Sequence, residues 1–173
     1  ASLAAANTFS TLTGVSEVSV ADWNGKQTIF LLSGDERAIG ITRLDDKGKV
    51  AFPTMLPVDG RPLAMAVTPP RANAKPTLAT ILDRDGQRVL SIGTGEGKAR
   101  TQKLAESFKS NPSSMAWHDV NQDGLLDLVV LIPYEKVKIL IERNGDDFEE
   151  VDIQAPGGAL ETPWMARADV DGG

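Results

Sequence analysis

The chain has 173 residues, a net charge of −6, a sequence pI of about 4.8 and 41% hydrophobic residues. That is enough apolar material for one domain with its own core. The acidic balance argues against nucleic acid as a main partner, because phosphate binding needs clustered basic residues. No run of eighteen apolar residues occurs, so no membrane-spanning helix is expected, and the absence of cysteine excludes disulfides and thiol chemistry.

Ala1-Ser-Leu-Ala-Ala-Ala6 lacks the basic flank and apolar centre of an intact signal peptide. It reads as the new N-terminus left by removal of a signal, or as a cut in a longer polypeptide. Residues 1–14 then include Phe9-Ser-Thr-Leu-Thr13, expected to be an outer strand or the remnant of a preceding unit.

From there an internal repeat of about fifty residues runs through the chain. Met65-Ala66, Met115-Ala116 and Met165-Ala166 recur at intervals of fifty, following Pro62, Pro112 and Pro163. Val18, 47 residues before Met65, holds the equivalent place in the first copy. Asp22, Asp119 and Asp169 each fall four residues after that anchor. Periods of 40–50 residues point to propeller blades or helical arrays, and the pattern inside each copy decides between them.

Residues 15–60 contain β-rich runs at 17–21, 27–32, 37–42 and 49–52, separated by Asn24-Gly25, Ser33-Gly-Asp35 and Asp45-Asp-Lys-Gly48. Residues 61–110 repeat the scheme at 63–67, 77–82, 88–92 and 99–104, with Asp85-Gly86 and Gly93-Thr-Gly-Glu-Gly97 as turns. Residues 111–160 repeat it at 114–118, 127–132, 136–141 and 148–153, with Pro133-Tyr-Glu135 and Asn144-Gly-Asp-Asp147 between the later runs. Residues 161–173 begin a fourth copy. A helical period is weakly present only near Leu104-Ala-Glu-Ser-Phe108, where it suggests a short turn. Four short strands per repeat with hairpin turns between them predict an all-β chain of four-stranded propeller blades. The expectation is a partial ring of about three blades and the start of a fourth.

The third copy carries the strongest chemical signal. Asp119-Val-Asn-Gln-Asp-Gly-Leu-Leu-Asp127 sets oxygen-bearing side chains at Asp119, Asn121, Asp123 and Asp127, positions 1, 3, 5 and 9 of a loop with Gly124 at position 6. The backbone carbonyl of Leu125, at position 7, adds a further oxygen. A hard cation such as Ca2+ takes six to eight oxygens at about 2.3–2.6 Å, and alternate residues of a tight loop turn theirs inward. An EF-hand would close with Glu at position 12; here that position is Val130, inside an apolar run, so the loop leads into a strand. The competing reading is an acidic turn without metal, since Asp, Asn and Gly favour turns unaided.

These residues, with the later Arg143-Asn-Gly-Asp-Asp-Phe148, resemble the FG-GAP/VCBS repeat family of β-propellers. The terminal Ala168-Asp-Val-Asp-Gly172 is similar to the opening of another such repeat. The resemblance implies Ca2+ held in the loop between the first two strands of a blade, on Asp119, Asn121, Asp123, Leu125 and Asp127. It also implies adhesion or ligand binding on the rim of a ring, without naming the ligand; a protein or a carbohydrate is the partner expected there. Asp22-Trp-Asn-Gly25 keeps only positions 1 and 3, Thr68-Pro-Pro-Arg71 offers no ligand set, and Asp169 with Asp171 forms a partial site. One good site is therefore expected. A site suited to millimolar Ca2+ points to an extracellular, cell-surface or periplasmic setting.

Other residues carry weaker signals. His118 is the single histidine, with no nucleophile constellation or further zinc ligands. Trp23, Trp117 and Trp164 begin three repeats and are expected to pack between blades, with an aromatic platform as the other reading. Glu149-Glu150 reads as a solvated face, and residues 93–97 have the wrong spacing for a phosphate loop. Pro69-Pro70 and Pro76 mark a longer loop, an insertion or a binding feature. An open array of three blades leaves strand edges at both ends, so self-association or the remaining blades of a longer chain would complete the ring. The function expected is a calcium-stabilised, non-enzymatic scaffold for binding, adhesion or assembly. The alternative is a fragment of a secreted propeller enzyme, a lyase or hydrolase, whose active-site residues lie largely elsewhere.

Overall fold

The computed structural model describes residues 7–71, 74–95, 97–106, 108, 110–135, 137–143, 147–153, 158, 161 and 165. Among them are twelve strands and no helix. β1(Val15–Asp22), β2(Gln27–Ser33), β3(Ala38–Thr42) and β4(Thr54–Leu56) form the first sheet. β5(Arg61–Val67), β6(Leu78–Arg84), β7(Gln87–Gly93) and β8(Arg100–Lys103) form the second. β9(Ser114–His118), β10(Asp127–Leu131), β11(Val137–Arg143) and β12(Asp147–Ile153) form the third. Each sheet is an antiparallel meander of four consecutive strands.

Local chemistry explains the meanders. Asn24 and Gly25 both take positive φ (57° and 74°), as do Asp85 and Gly86 (52° and 87°). Two left-handed residues in succession give the turn whose twist matches that of the flanking strands. Both turns are braced in the same way. Gly25 N donates to Asp22 Oδ1 at 2.8 Å, and Gly86 N donates to Asp83 Oδ1 at 2.7 Å.

Packing between sheets follows from side-chain alternation. On β6, Leu78 joins Trp23, Phe30, Leu32 and Ile39 of the first repeat, while Ala79 and Ile81 join Trp117, Leu128, Val130 and Leu140 of the third. The middle sheet is thus covered on both faces, which is why the stretch 78–82 of its second strand is apolar at every position but Thr80. The first strands meet one another: β5 packs against both β1 and β9.

Two expected features fall elsewhere. The fourth strand of the first sheet is at 54–56, not at 49–52. Asp45 closes a small hairpin by accepting from Lys47 N and Lys49 N at 2.9 and 2.8 Å, leaving Val50 in an isolated bridge with Leu44. Pro53 has no N–H to give a ladder, so pairing with β3 begins at Thr54 opposite Ile41. The stretch 9–13 forms no strand. It is anchored instead by Leu12, buried against Leu31 and Ala38, and by Thr13 O, which accepts from Ser33 Oγ at 2.6 Å. The turn expected near Leu104 is present, with Phe108 N donating to Ala105 O at 3.0 Å. The fourth copy, including Trp164, Asp169 and Asp171, lies outside the described residues apart from isolated positions.

Leu128 is fully buried between the second and third sheets, whereas Leu44 is 61% exposed. Leu128→Ala is expected to cost about 2–5 kcal/mol in urea unfolding through the cavity it leaves. Leu44→Ala should stay within about 0.5 kcal/mol.

Candidate functional site

The acidic loop joins β9 to β10 and is built from backbone amides donating to carboxylates. Asp119 accepts from Asp123 N on Oδ1 at 3.1 Å and from Gly124 N on Oδ2 at 2.9 Å. Asp123 accepts from Leu125 N at 2.8 Å and from Asn121 Nδ2 at 2.8 Å. Asn121 Oδ1 in turn accepts from Asp123 N at 3.1 Å. Gln122 and Gly124 take φ of 62° and 87°, which bends the chain sharply enough for these local bonds. The Leu125 amide, followed by the Asn121 side chain, holds the Asp123 carboxyl below the usual carboxylate range. Mutual repulsion among the acids is therefore offset in part by N–H dipoles of the loop itself.

Asp127 is different. It is fully buried, with Oδ2 accepting from Val120 N at 2.9 Å and Oδ1 from Glu142 N at 2.9 Å. One carboxylate thus ties the start of the loop to β11. His118 lies opposite Asp127 in the ladder and is exposed.

The sequence-derived set is brought together in one loop, and its donor chemistry is all oxygen, the kind a hard cation takes. The side chains as placed are engaged with loop amides and with each other. Among the described residues, no group of three or more His, Cys, Asp or Glu side chains is arranged to hold a metal ion. In the first repeat, Asp22 is committed to the Gly25 amide of a tight turn. In the second, the connection is the proline-rich loop, closed by Thr68 N to Thr77 O at 2.9 Å and Thr77 N to Thr68 Oγ1 at 2.8 Å.

Trp23 and Trp117 are both buried. Trp23 meets Phe30 edge-on at 5.3 Å, and Trp117 Nε1 donates to Ala66 O at 3.1 Å across two sheets. Both indoles are packing elements between sheets.

Two features lie outside the sequence reading. A groove of 450 Å³ runs along β1, β5 and β9, and Glu17 lines it. Its Oε2 accepts from Met65 N at 3.1 Å, joining the first and second sheets. Burial pushes the Glu17 carboxyl up to about 7, against a smaller lowering by that amide. In sequence Glu17 is merely the polar member of an alternating strand; its burial depends on the second sheet. The other is a cavity of 670 Å³ lined by residues 68–71 and 74–77 and reached by connections from all three sheets.

No protein-family model matches the chain. An HTH-type transcriptional regulator from Saccharopolyspora erythraea is 29% identical over 89 residues, covering 50% of this chain and 34% of the regulator. The chain thus spans about a third of the length of that curated relative. A helix-turn-helix consists of two helices, and the described residues contain none.

Two outcomes are expected. Asp127→Ala leaves the Val120 and Glu142 amides without their partner and should cost about 1–3 kcal/mol in chemical denaturation in chelator. For Glu17, a folded pKa raised from 4.5 to about 7 means a contribution to stability that is complete below pH 4.5. It is lost as pH rises through about 7. The loss is on the order of 3 kcal/mol. Glu17→Gln should flatten that part of the stability–pH curve; an unchanged curve would place its cause elsewhere.

Proposed function

We propose that the chain is a calcium-stabilised, non-enzymatic segment of a β-propeller that serves as a scaffold for binding and assembly outside the cytoplasm. The observation that carries the propeller reading is the unequal fate of equivalent positions. Met65 and Met115, at matching places in the second and third repeats, are 1% and 6% exposed, each covered by the preceding sheet. Val18, the matching position of the first repeat, is 59% exposed, and Val20 on the same face is 62% exposed. The first sheet therefore carries a face of the kind that is covered in the other two. A further sheet of the same sort, supplied in solutions of this chain by a second copy, fits that face. Three sheets in meander order with their first strands adjacent support the ring reading, as does the resemblance to FG-GAP/VCBS repeats.

In this reading Asp119, Asn121, Asp123, Asp127 and the Leu125 carbonyl would hold Ca2+. The ion would supply the positive charge that loop amides replace only in part. Asp127 keeps its structural bonds, since a carboxylate oxygen has more lone pairs than one hydrogen bond uses. The metal's role is to stiffen the β9–β10 connection, not to perform chemistry. Millimolar extracellular Ca2+ suits such a site.

Light scattering should give a mass near twice 18.5 kDa. The double substitution Val18→Lys, Val20→Lys should return it to a folded monomer. A folded parent that stays monomeric at high concentration would overturn the self-association. Separately, Asp123→Ala should lower the melting temperature in Ca2+ by several degrees and change it little in chelator. Equal losses in both conditions would remove the calcium reading.

A further inference from the structure

We propose that the 670 Å³ cavity under the β5–β6 loop is a binding site for a small organic carboxylate with an apolar body. The size lies in the range of small-molecule pockets, roughly 300–1,000 Å³. The cavity lies within one chain and is bounded by connections from all three sheets, so it does not rest on ring closure.

Its walls are largely preformed. Pro69, Pro70 and Pro76 restrict the loop, and the Thr68–Thr77 pair of hydrogen bonds closes its base. Arg71 Nη1 donates to Gly124 O at 3.3 Å, which leans the loop onto the β9–β10 connection. The Trp117 ring is fixed by its bond to Ala66 O. A wall already held in place lowers the ordering cost of binding.

The charges choose the ligand class. Arg71, Lys75 and Arg100 line the cavity, against Asp22 and Glu142. Asp22 is engaged by the Gly25 amide at 2.8 Å. Glu142 stands 4.0 Å from Arg100, which also lies over the Phe148 ring at 5.4 Å. Arg71 and Lys75 form no ion pair among the described residues. Arg71 also acts through space on Glu142, so three cations face two carboxylates in the lining, and the one positive charge in excess favours an anion here. Arg71 supplies planar donors that match a carboxylate, and Lys75 adds a mobile ammonium. Proline, Ile92 and Leu126 surfaces then receive the apolar body.

The test uses 15N-labelled chain titrated with 3-phenylpropionate and with its neutral amide. Saturable shifts are expected at amides around the cavity for the carboxylate, with a dissociation constant of about 1 mM or tighter. The amide should bind at least about fivefold more weakly. Arg71→Gln and Lys75→Gln should each weaken carboxylate binding at least about threefold without changing the melting temperature. The Val18→Lys, Val20→Lys double variant should bind like the parent, which separates this site from the assembly face. Equal binding of acid and amide, shifts confined to other surfaces, or no shifts at about 20 mM ligand would each overturn the site.

Discussion

Burial of the second sheet on both faces constrains the rest of the molecule. Ala64, Ala66 and Ala79 keep one face of that sheet low, and the larger Trp117, Leu128 and Leu140 of the third sheet fill against it. On the other face Met65 and Leu78 meet Phe30, Leu32 and Ile39. Each fully buried side chain of this size contributes about 1.5–3 kcal/mol relative to exposure, so the stack derives its stability from between the sheets. A four-stranded meander with one bare face cannot draw on that term alone. The first sheet shows the consequence: Leu12 covers Leu31 and Ala38, while Val18 and Val20 remain open.

Polar groups join this stack where apolar packing has no directional preference. Glu17 reaches Met65 N, Trp117 reaches Ala66 O, and Gln102 exchanges both its amide groups with the Phe148 backbone at 2.7 and 2.8 Å. Each bond runs between neighbouring sheets and fixes their register, which alanines and leucines alone would leave free to slide. Glu17 is the costly member, since its charged form has lost water for a single amide. The same carboxyl that specifies the β1–β5 register therefore makes the junction between two sheets sensitive to pH.

Much of this frame can be read from the sequence because it rests on local rules. Asn24-Gly25 and Asp85-Gly86 announce hairpins, and the structure places positive φ at all four residues. The apolar run at 78–82 announces a strand covered on both sides. The rule fails where a local signal competes with another: 49–52 has strand-like residues, but Asp45 closes the chain into its own small hairpin before Pro53. It fails equally for 9–13, whose single buried anchor is Leu12. In the acidic loop the spacing of oxygens is legible, whereas the commitment of Asp127 to the Glu142 amide is not, because β11 lies fifteen residues further along. Arg71 meeting Gly124 O, 53 residues away, is invisible for the same reason.

The three connections between first and second strands show where this architecture allows variation. The strands they join are alike in order and pairing, yet one connection is a two-residue turn, one a proline-rich loop and one an acidic loop. Packing between sheets constrains the strands and leaves these connections free to differ, which is the general reason that function gathers on loops held by a rigid frame. Here they do not diverge independently. All three border one cavity, and Arg71 links the second to the third through Gly124 O. Whatever orders the acidic loop therefore also positions a guanidinium at the mouth of that cavity, so that rigidity in one connection becomes geometry in another.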